Sequence, residues 1–178
     1  QPRYCDLNHQ GRIDEIVTAM AGAGLDILFA FSPAAHHVDL GDGVALISGV
    51  KPMGPAFAVL KSDGASVLVV SPAWDGIRAE AGARTDQVTA TDDLAASFAA
   101  MHGNDLPASP RIGIADLGKM AHGTAAAITA LTGAEFQDFS AQLFTLAARK
   151  TDAETENARQ ATIIGEHTYQ YMLELAEP

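Results

Sequence analysis

The chain has 178 residues, of which 48% are apolar and 19% charged, a globular composition that excludes a disordered or collagen-like chain. Its 22 acidic residues outnumber the 11 basic ones, for a formal charge of −11. The basic residues are scattered, with only Arg149 and Lys150 adjacent, so neither nucleic acid nor an anionic membrane surface is an expected partner.

Arg12 to Ala23 reads as a helix, with Ile13, Ile16, Val17 and Met20 at helical spacing and Gly22 and Gly24 suited to its end. Leu25 to Phe31 is a short apolar run, read as a buried strand stopped by Ser32-Pro33. Ala34 to Gly43 is a loop carrying His36, His37 and Asp39, and Val44 to Ser48 reads as a second strand closed by Gly49. After the loop Lys51-Pro52-Met53-Gly54-Pro55 come strands over Ala56 to Leu60 and Ser66 to Ser71, joined by an Asp63-Gly64 hairpin turn.

The pattern then alternates. A weak helix over Trp74 to Ala81 precedes a short strand, Gln87 to Ala90. Thr91-Asp92 caps a helix from Asp93 to Met101 with Leu94 and Phe98 on one face. Arg111 to Ala115 is a strand, Met120 to Leu131 an Ala-rich helix, Ala134 to Phe139 a short strand, and Ser140 to Ala148 a helix. Thr151-x-x-Glu154 has the form of a capping box and opens a helix reaching Leu175. Ala161, Ile164, Thr168, Tyr171 and Leu175 lie along one side of it, a seam with little chain left to bury it. The elements add up to an α/β fold: a mixed sheet, antiparallel hairpin strands followed by strand–helix alternation, flanked by helices.

Few motifs carry chemistry. Gly113, Gly118 and Lys119 match G-x-x-x-x-G-K, but Met120 stands where a hydroxyl should hold Mg²⁺, and Gly113 falls inside a strand signal. No G-x-G-x-x-G follows a strand, and no G-x-S-x-G marks a nucleophile elbow. The histidines are His9, His36, His37, His102, His122 and His167, and none is three or four residues from another, so no helical metal pair exists. His36 and His37, with Asp39 and Asp42, form a polar loop whose plain reading is solvation, with a loop metal site as the alternative. Ser32 and Ser48 end strand signals without a signposted base. Cys5 is the only cysteine, which excludes an internal disulfide and a thiolate-rich metal site. No apolar run approaches the roughly 20 residues of a membrane span, and no signal-peptide pattern is present. The acidic, cysteine-poor composition is that expected of a soluble, cytoplasmic protein. The chain opens at Gln1 and closes just after a helical pattern, which reads as a piece of a longer polypeptide.

The order of elements resembles the N-terminal domain of the creatinase, prolidase and aminopeptidase P family. Gly24-Leu25-Asp26-Ile27-Leu28 matches that family's "G-L-D-A-L-L" strand after a helix holding Arg12 and Met20. Ser32-Pro33 matches "S-P-x-N", and Ile47-Ser48-Gly49 matches the end of "Y-L-T-G", with Leu46 where the tyrosine would stand. Asp63-Gly64 with Val67 to Val70 resembles the "D-G … L-V-V" hairpin, and Arg111 to Ile114 the "R-I-G-I-E" strand. Ala148-Arg149-Lys150-Thr151 through Glu154, then Arg159-Gln160-Ala161, reproduces the layout of the linker "L-R-x-x-K-S-x-x-E-I-x-x-M-R-x-A", with Thr151 in place of Ser. The loop from His36 to Val44 departs from the family's connection.

The resemblance implies a creatinase N-terminal-domain-like, ribonuclease H-like fold over residues 1–150, with 151–178 the linker end and first helix of a catalytic domain. It implies a parent hydrolase acting on Xaa-Pro peptides or creatine-like molecules. The parent would use two divalent metals (Mn, Co or Zn), or none if creatinase-like, held by residues beyond this chain. No residue here is then catalytic or a metal ligand. The domain's implied roles are homodimerisation and gating of the active-site mouth by the loops Ser32 to Asp42 and Gly49 to Pro55. His36, His37, Asp39 and Lys51 are the candidate substrate-gating contacts. Two other readings stand beside this one: a standalone binding or scaffold domain, and an independent small α/β hydrolase using the Ser32/His36/Asp39 region.

Overall fold

The computed structural model describes residues 9–33, 42–94, 96–97, 101, 110–120, 122–132 and 136–176. Helix α1 (His9–Gly22) buries Arg12, Ile13, Ile16 and Met20. It ends where Gly24 turns left-handed at φ 70°, a conformation that favours glycine. The Leu25 N–H then bonds the Met20 carbonyl at 2.9 Å and the Gly24 N–H the Ala21 carbonyl at 3.0 Å, a Schellman closure. Strand β1 (Ile27–Ser32) follows and is buried throughout.

The segment read as a second strand is instead helix α2 (Gly43–Ser48). Asp42 is the reason. Its side chain accepts from the backbone N–H groups of Val44 (2.9 Å) and Ala45 (3.3 Å), a helix N-cap. Gly49 at φ 74° closes the other end. A five-residue apolar run carries no period that separates strand from helix. Small residues let α2 settle on the sheet: a Cβ on Gly43 would lie 3.1 Å from the Ala30 Cβ and 3.3 Å from that of Ala115.

Strands β2 (Ala56–Lys61) and β3 (Ser66–Val70) form the expected hairpin, with Gly64 at φ 89° in its turn. A 3₁₀ turn (Ala73–Asp75) and helix α3 (Gly76–Gly82) take the place of one weak helix, and lead to β4 (Gln87–Ala90). Of the helix expected over 93–101, residues 94, 96, 97 and 101 are described and helical, while Phe98 lies outside the described residues. Strand β5 (Ile112–Ala115), helix α4 (His122–Thr132), strand β6 (Phe136–Asp138), helix α5 (Ser140–Ala148) and helix α6 (Asp152–Leu175) complete the order.

The six strands form one mixed sheet, ordered β4-β3-β2-β1-β5-β6. β1–β2 and β2–β3 are antiparallel, whereas β3–β4, β1–β5 and β5–β6 are parallel. Without β4 this is the ribonuclease H-like arrangement, three antiparallel strands continued by two parallel ones. The expected fold class therefore holds.

Side chains alternate across the sheet with period two. Leu28, Ala30, Ala58, Leu60, Leu68 and Val70 face α1, α2, α3 and α5 through Ile16, Met20, Ile47, Ala79 and Leu143. Phe29, Phe31, Phe57, Val59, Val69 and Ile114 face the other way, toward Met101, Met120 and Ala125. Phe29 and Phe57 stack there at 5.1 Å between ring centres. Gly113 lies inside β5, opposite Leu28 and Gln137, and so cannot open a phosphate loop.

Candidate functional site

The strand register puts most of the polar loops at one edge of the sheet. Ser32 at the end of β1 pairs with Ala56 at the start of β2, and Ala56 pairs with Val70 at the end of β3. Val70 pairs with Ala90 at the end of β4, and Ala30 near the end of β1 pairs with Ala115 at the end of β5. The chain therefore leaves β1, β3, β4 and β5, and enters β2, at this edge. Strand order reverses at β1, which makes the gap beyond β1 and β5 a topological switch point, where open α/β sheets bind ligands.

At the switch point two carboxylates are already engaged. The second oxygen of the α2 cap, Asp42 Oδ2, accepts from Ser32 Oγ at 3.1 Å. Asp116 is buried, and its left-handed backbone (φ 65°) is one that aspartate tolerates better than most residues. Its Oδ2 accepts from the Gly43 N–H at 3.1 Å, and its Oδ1 pairs with Lys119 Nζ at 2.6 Å. Lys119 also sits 5.4 Å from the Phe144 ring centre. The Asp116 N–H donates to Ser140 Oγ at 2.9 Å, and Ser140 donates to Asp138. The Ser140 hydroxyl, then its N–H, hold the Asp138 carboxyl below its ordinary pKa. These bonds tie α2 and the ends of β5 and β6 together. The Ser32 hydroxyl is thus committed to the carboxylate that caps α2, and these bonds brace the strand ends at the switch point.

The second part of the edge is the loop from Gly49 to Pro55. Asp75 is fully buried beneath it. Its carboxylate accepts from Arg78 Nε (2.6 Å) and Nη2 (2.9 Å) and from the Met53 N–H (3.0 Å). Arg78 Nη2 also donates to the Lys51 carbonyl at 3.0 Å. The Arg78 guanidinium, helped by the Met53 N–H, holds the Asp75 carboxyl below its ordinary pKa despite burial. Gly54 packs so closely that a Cβ there would stand 1.9 Å from the Ser71 carbonyl oxygen. The loop is thus clamped at Lys51, Met53 and Gly54. Around the clamp stand three exposed apolar side chains: Met53 at 47%, Trp74 at 67% and Ile77 at 83% relative exposure.

Comparisons place this arrangement among known structures. The structure matches the prolidase from Pyrococcus horikoshii OT3 with a TM-score of 0.67 at 15% identity, over 92% of this chain and 42% of that one. It matches the Xaa-Pro dipeptidase from Bacillus anthracis with a TM-score of 0.66 at 14% identity, over 96% and 44%. The creatinase/prolidase N-terminal domain of an X-Pro dipeptidase from Streptococcus pyogenes matches with a TM-score of 0.55 at 15% identity, over 72% of this chain and 98% of that one. The fold is that of a creatinase/prolidase N-terminal domain. The chain spans 40% of the Pyrococcus furiosus prolidase and 42% of the Pyrococcus horikoshii one. No protein-family model matches the sequence, and no curated protein matches it.

Within this fold Lys51 is exposed on the clamped loop. His36, His37 and Asp39 lie outside the described residues. Among the described residues no group of three or more His, Cys, Asp or Glu is arranged to hold a metal ion, and no helix is long and apolar enough to cross a membrane. Sequence reading passed over Asp75, Arg78 and Asp116. The i, i+3 spacing of Asp75 and Arg78 was a usable signal for their pairing. For Asp116 the contact to Gly43 spans 73 residues, and no local pattern announces it.

Proposed function

We propose that this chain is the non-catalytic N-terminal domain of a metal-dependent hydrolase that cleaves Xaa-Pro peptides or a creatinase-like substrate. One observation carries the reading. The match to the longer prolidase chains extends over 81% to 96% of this chain, whereas chains matched over nearly their whole length cover 72% to 78%. The extra length accommodates a helix that leads onward, and α6, which buries no residue among those described, suits that role. The linker and helix over 151–178 then begin a catalytic domain, and residues 1–150 are the accessory one.

In this reading the clamped loop and the loop before α2 stand at the mouth of the active site and limit substrate size. Lys51, with His36, His37 and Asp39, supplies the polar contacts. Met53, Trp74 and Ile77 supply the apolar contact to a second copy in a homodimer. Two divalent metals, or none if the parent is creatinase-like, would belong to the following domain. The absence of any cysteine but Cys5 fits a cytoplasmic enzyme.

The test is the coding sequence beyond Pro178 and the activity of its product. A reading frame that continues into a domain bearing a set of Asp, His and Glu ligands, with Xaa-Pro dipeptide hydrolysis restored by Mn²⁺ or Co²⁺, supports the proposal. A stop codon after Pro178 overturns it in favour of a standalone binding domain. Ester or peptide turnover by residues 1–178 alone, abolished in His36→Ala, overturns the assignment of this domain as non-catalytic.

A further inference from the structure

Helix α6 has 24 residues and buries none of them. Its half-buried residues, Ala153, Glu154, Asn157 and Gln160, all lie in its first turns, so the junction with the domain is where its direction is set. That point is dominated by one side chain. Arg12, on α1, has a side chain only 7% exposed. Its Nη1 donates to the Leu146 carbonyl at 2.8 Å and to Glu15 Oε2 at 3.0 Å. Its Nη2 donates to the Arg149 carbonyl at 2.9 Å and to Glu154 Oε2 at 2.8 Å.

These acceptors belong to different elements. Leu146 lies in the last turn of α5, where carbonyls favour a cation, and its carbonyl also accepts the Arg149 N–H at 3.3 Å. Arg149 lies in the turn between the helices. Glu154 lies in the first turn of α6, and the same Oε2 accepts the Thr151 N–H at 2.8 Å, while Thr151 Oγ1 accepts the Glu154 N–H at 3.1 Å. Both arms of the capping box are thus made, and one arm is shared with Arg12. A single guanidinium fixes the end of one helix, the turn after it and the start of the next. Its planar fork is what reaches these positions together; an ammonium group is a point charge that cannot.

We infer that Arg12 is the positioning residue that sets the direction in which α6, and any chain following it, leaves the domain. The helix acts as a lever on this pin. From Thr151 to Thr168 it rises by about 25 Å, so a tilt of about 10° at the pin moves position 168 by about 4 Å. A change at α1 would therefore be felt far along α6 without any apolar contact between them. This inference does not depend on what the following chain is or does.

The test places spin labels at Thr18→Cys and Thr168→Cys, both exposed, in a Cys5→Ser background, and measures the distance distribution between them. A second pair, Thr18→Cys with Asp63→Cys, reports on the domain itself. We expect Arg12→Met to broaden or shift the first distribution by several ångströms while the second stays narrow. Arg12→Lys should fall between the two. Thr151→Ala weakens the cap but leaves the pin, and should leave the first distribution narrow. An unchanged first distribution in Arg12→Met overturns the inference, as does a Thr151→Ala distribution as broad as that of Arg12→Met. If Arg12→Met unfolds the domain, Arg12→Lys and Glu154→Ala decide: unchanged distances in both overturn the inference, and displaced distances with an intact Thr18–Asp63 pair support it.

Discussion

The Arg78 guanidinium grips the buried Asp75 carboxylate with two hydrogen bonds, Nε to Oδ1 at 2.6 Å and Nη2 to Oδ2 at 2.9 Å. Asp75 is fully buried, whereas the Arg78 side chain is 45% exposed, so the two ends of the pair differ in what their loss costs. Removing Arg78 strands a carboxylate in the interior. Arg78→Met is expected to destabilise the domain by about 3 kcal/mol. Asp75→Asn keeps an acceptor for the Met53 N–H and should cost about 1–2 kcal/mol. Urea unfolding midpoints check both, and in each variant the Met53 amide should exchange faster with solvent.

The same pair predicts an acid limb. The folded-state pKa of Asp75 lies below its ordinary value of 3.8, chiefly because of Arg78. Near and below that value the unfolded chain binds more protons than the folded one, so stability falls with falling pH. The contribution is complete above the unfolded value and lost as pH drops through the folded one. Wild type should therefore lose stability on acidification below pH 4 more steeply than Asp75→Asn, measured by unfolding at a series of pH values.

His9 gives a separate limb nearer neutrality. Burial lowers its pKa below 6.5, the Arg84 charge adds to this, and a bond with the Ile47 backbone partly opposes them. The neutral ring is favoured in the fold. Stability should be complete above pH 6.5 and decline as pH falls below it, because the unfolded chain takes up the proton first. His9→Gln is expected to flatten the stability profile below pH 6.5, and an unaltered slope would count against this environment for His9.

Much of the sheet was legible because its strands announce themselves. β1, β2 and β3 are apolar runs bounded by Ser-Pro, Gly-Pro and Asp-Gly, and the turn at Gly64 needs the left-handed backbone that Asp-Gly supplies. The capping box at Thr151 and Glu154 was read from four residues, because both partners are local. α2 was not legible: Val44 to Ser48 has the composition of a strand, and only Asp42 ahead of it signals a cap. The candidate site was least legible. Its loops could be placed by their order in the chain, but the clamp joins Asp75 to Met53, 22 residues apart, and the switch-point bond joins Asp116 to Gly43, 73 apart. Such contacts follow from sheet topology, which local periodicity does not encode.

Gly54 tests how rigid the clamped loop is. A Cβ there would meet the Ser71 oxygen at 1.9 Å and Pro72 Cδ at 2.7 Å, whereas one on Gly165 of α6 would meet nothing within 4 Å. Gly54→Ala must displace the loop or the start of the 3₁₀ turn, and is expected to cost about 3 kcal/mol or more. Gly165→Ala should leave the domain's unfolding midpoint unchanged and raise the helicity of α6, since alanine is favoured over glycine by about 1 kcal/mol in a helix interior. Thermal unfolding followed by circular dichroism separates the two outcomes.

The last prediction concerns Trp74. With Met53 and Ile77 it stands exposed on a base fixed by Asp75, and a rigid aromatic anchor of this kind loses little freedom on binding. On one side of the Ala73–Asp75 turn, Asp92 accepts the Ala73 N–H at 2.8 Å; on the other, Arg78 reaches the Lys51 carbonyl. Acidic and basic groups therefore flank the apolar patch, and a two-fold contact between copies would set opposite charges against each other. Because Trp74 is the only tryptophan, its emission reports on this surface directly. If the patch joins two copies, emission should shift to shorter wavelength with rising protein concentration, in step with the sedimentation coefficient. Trp74→Glu should weaken association by about 30-fold, equivalent to about 2 kcal/mol, with no change in the unfolding midpoint of the monomer. Concentration-independent emission in a sample that sediments as a dimer would place the subunit contact elsewhere.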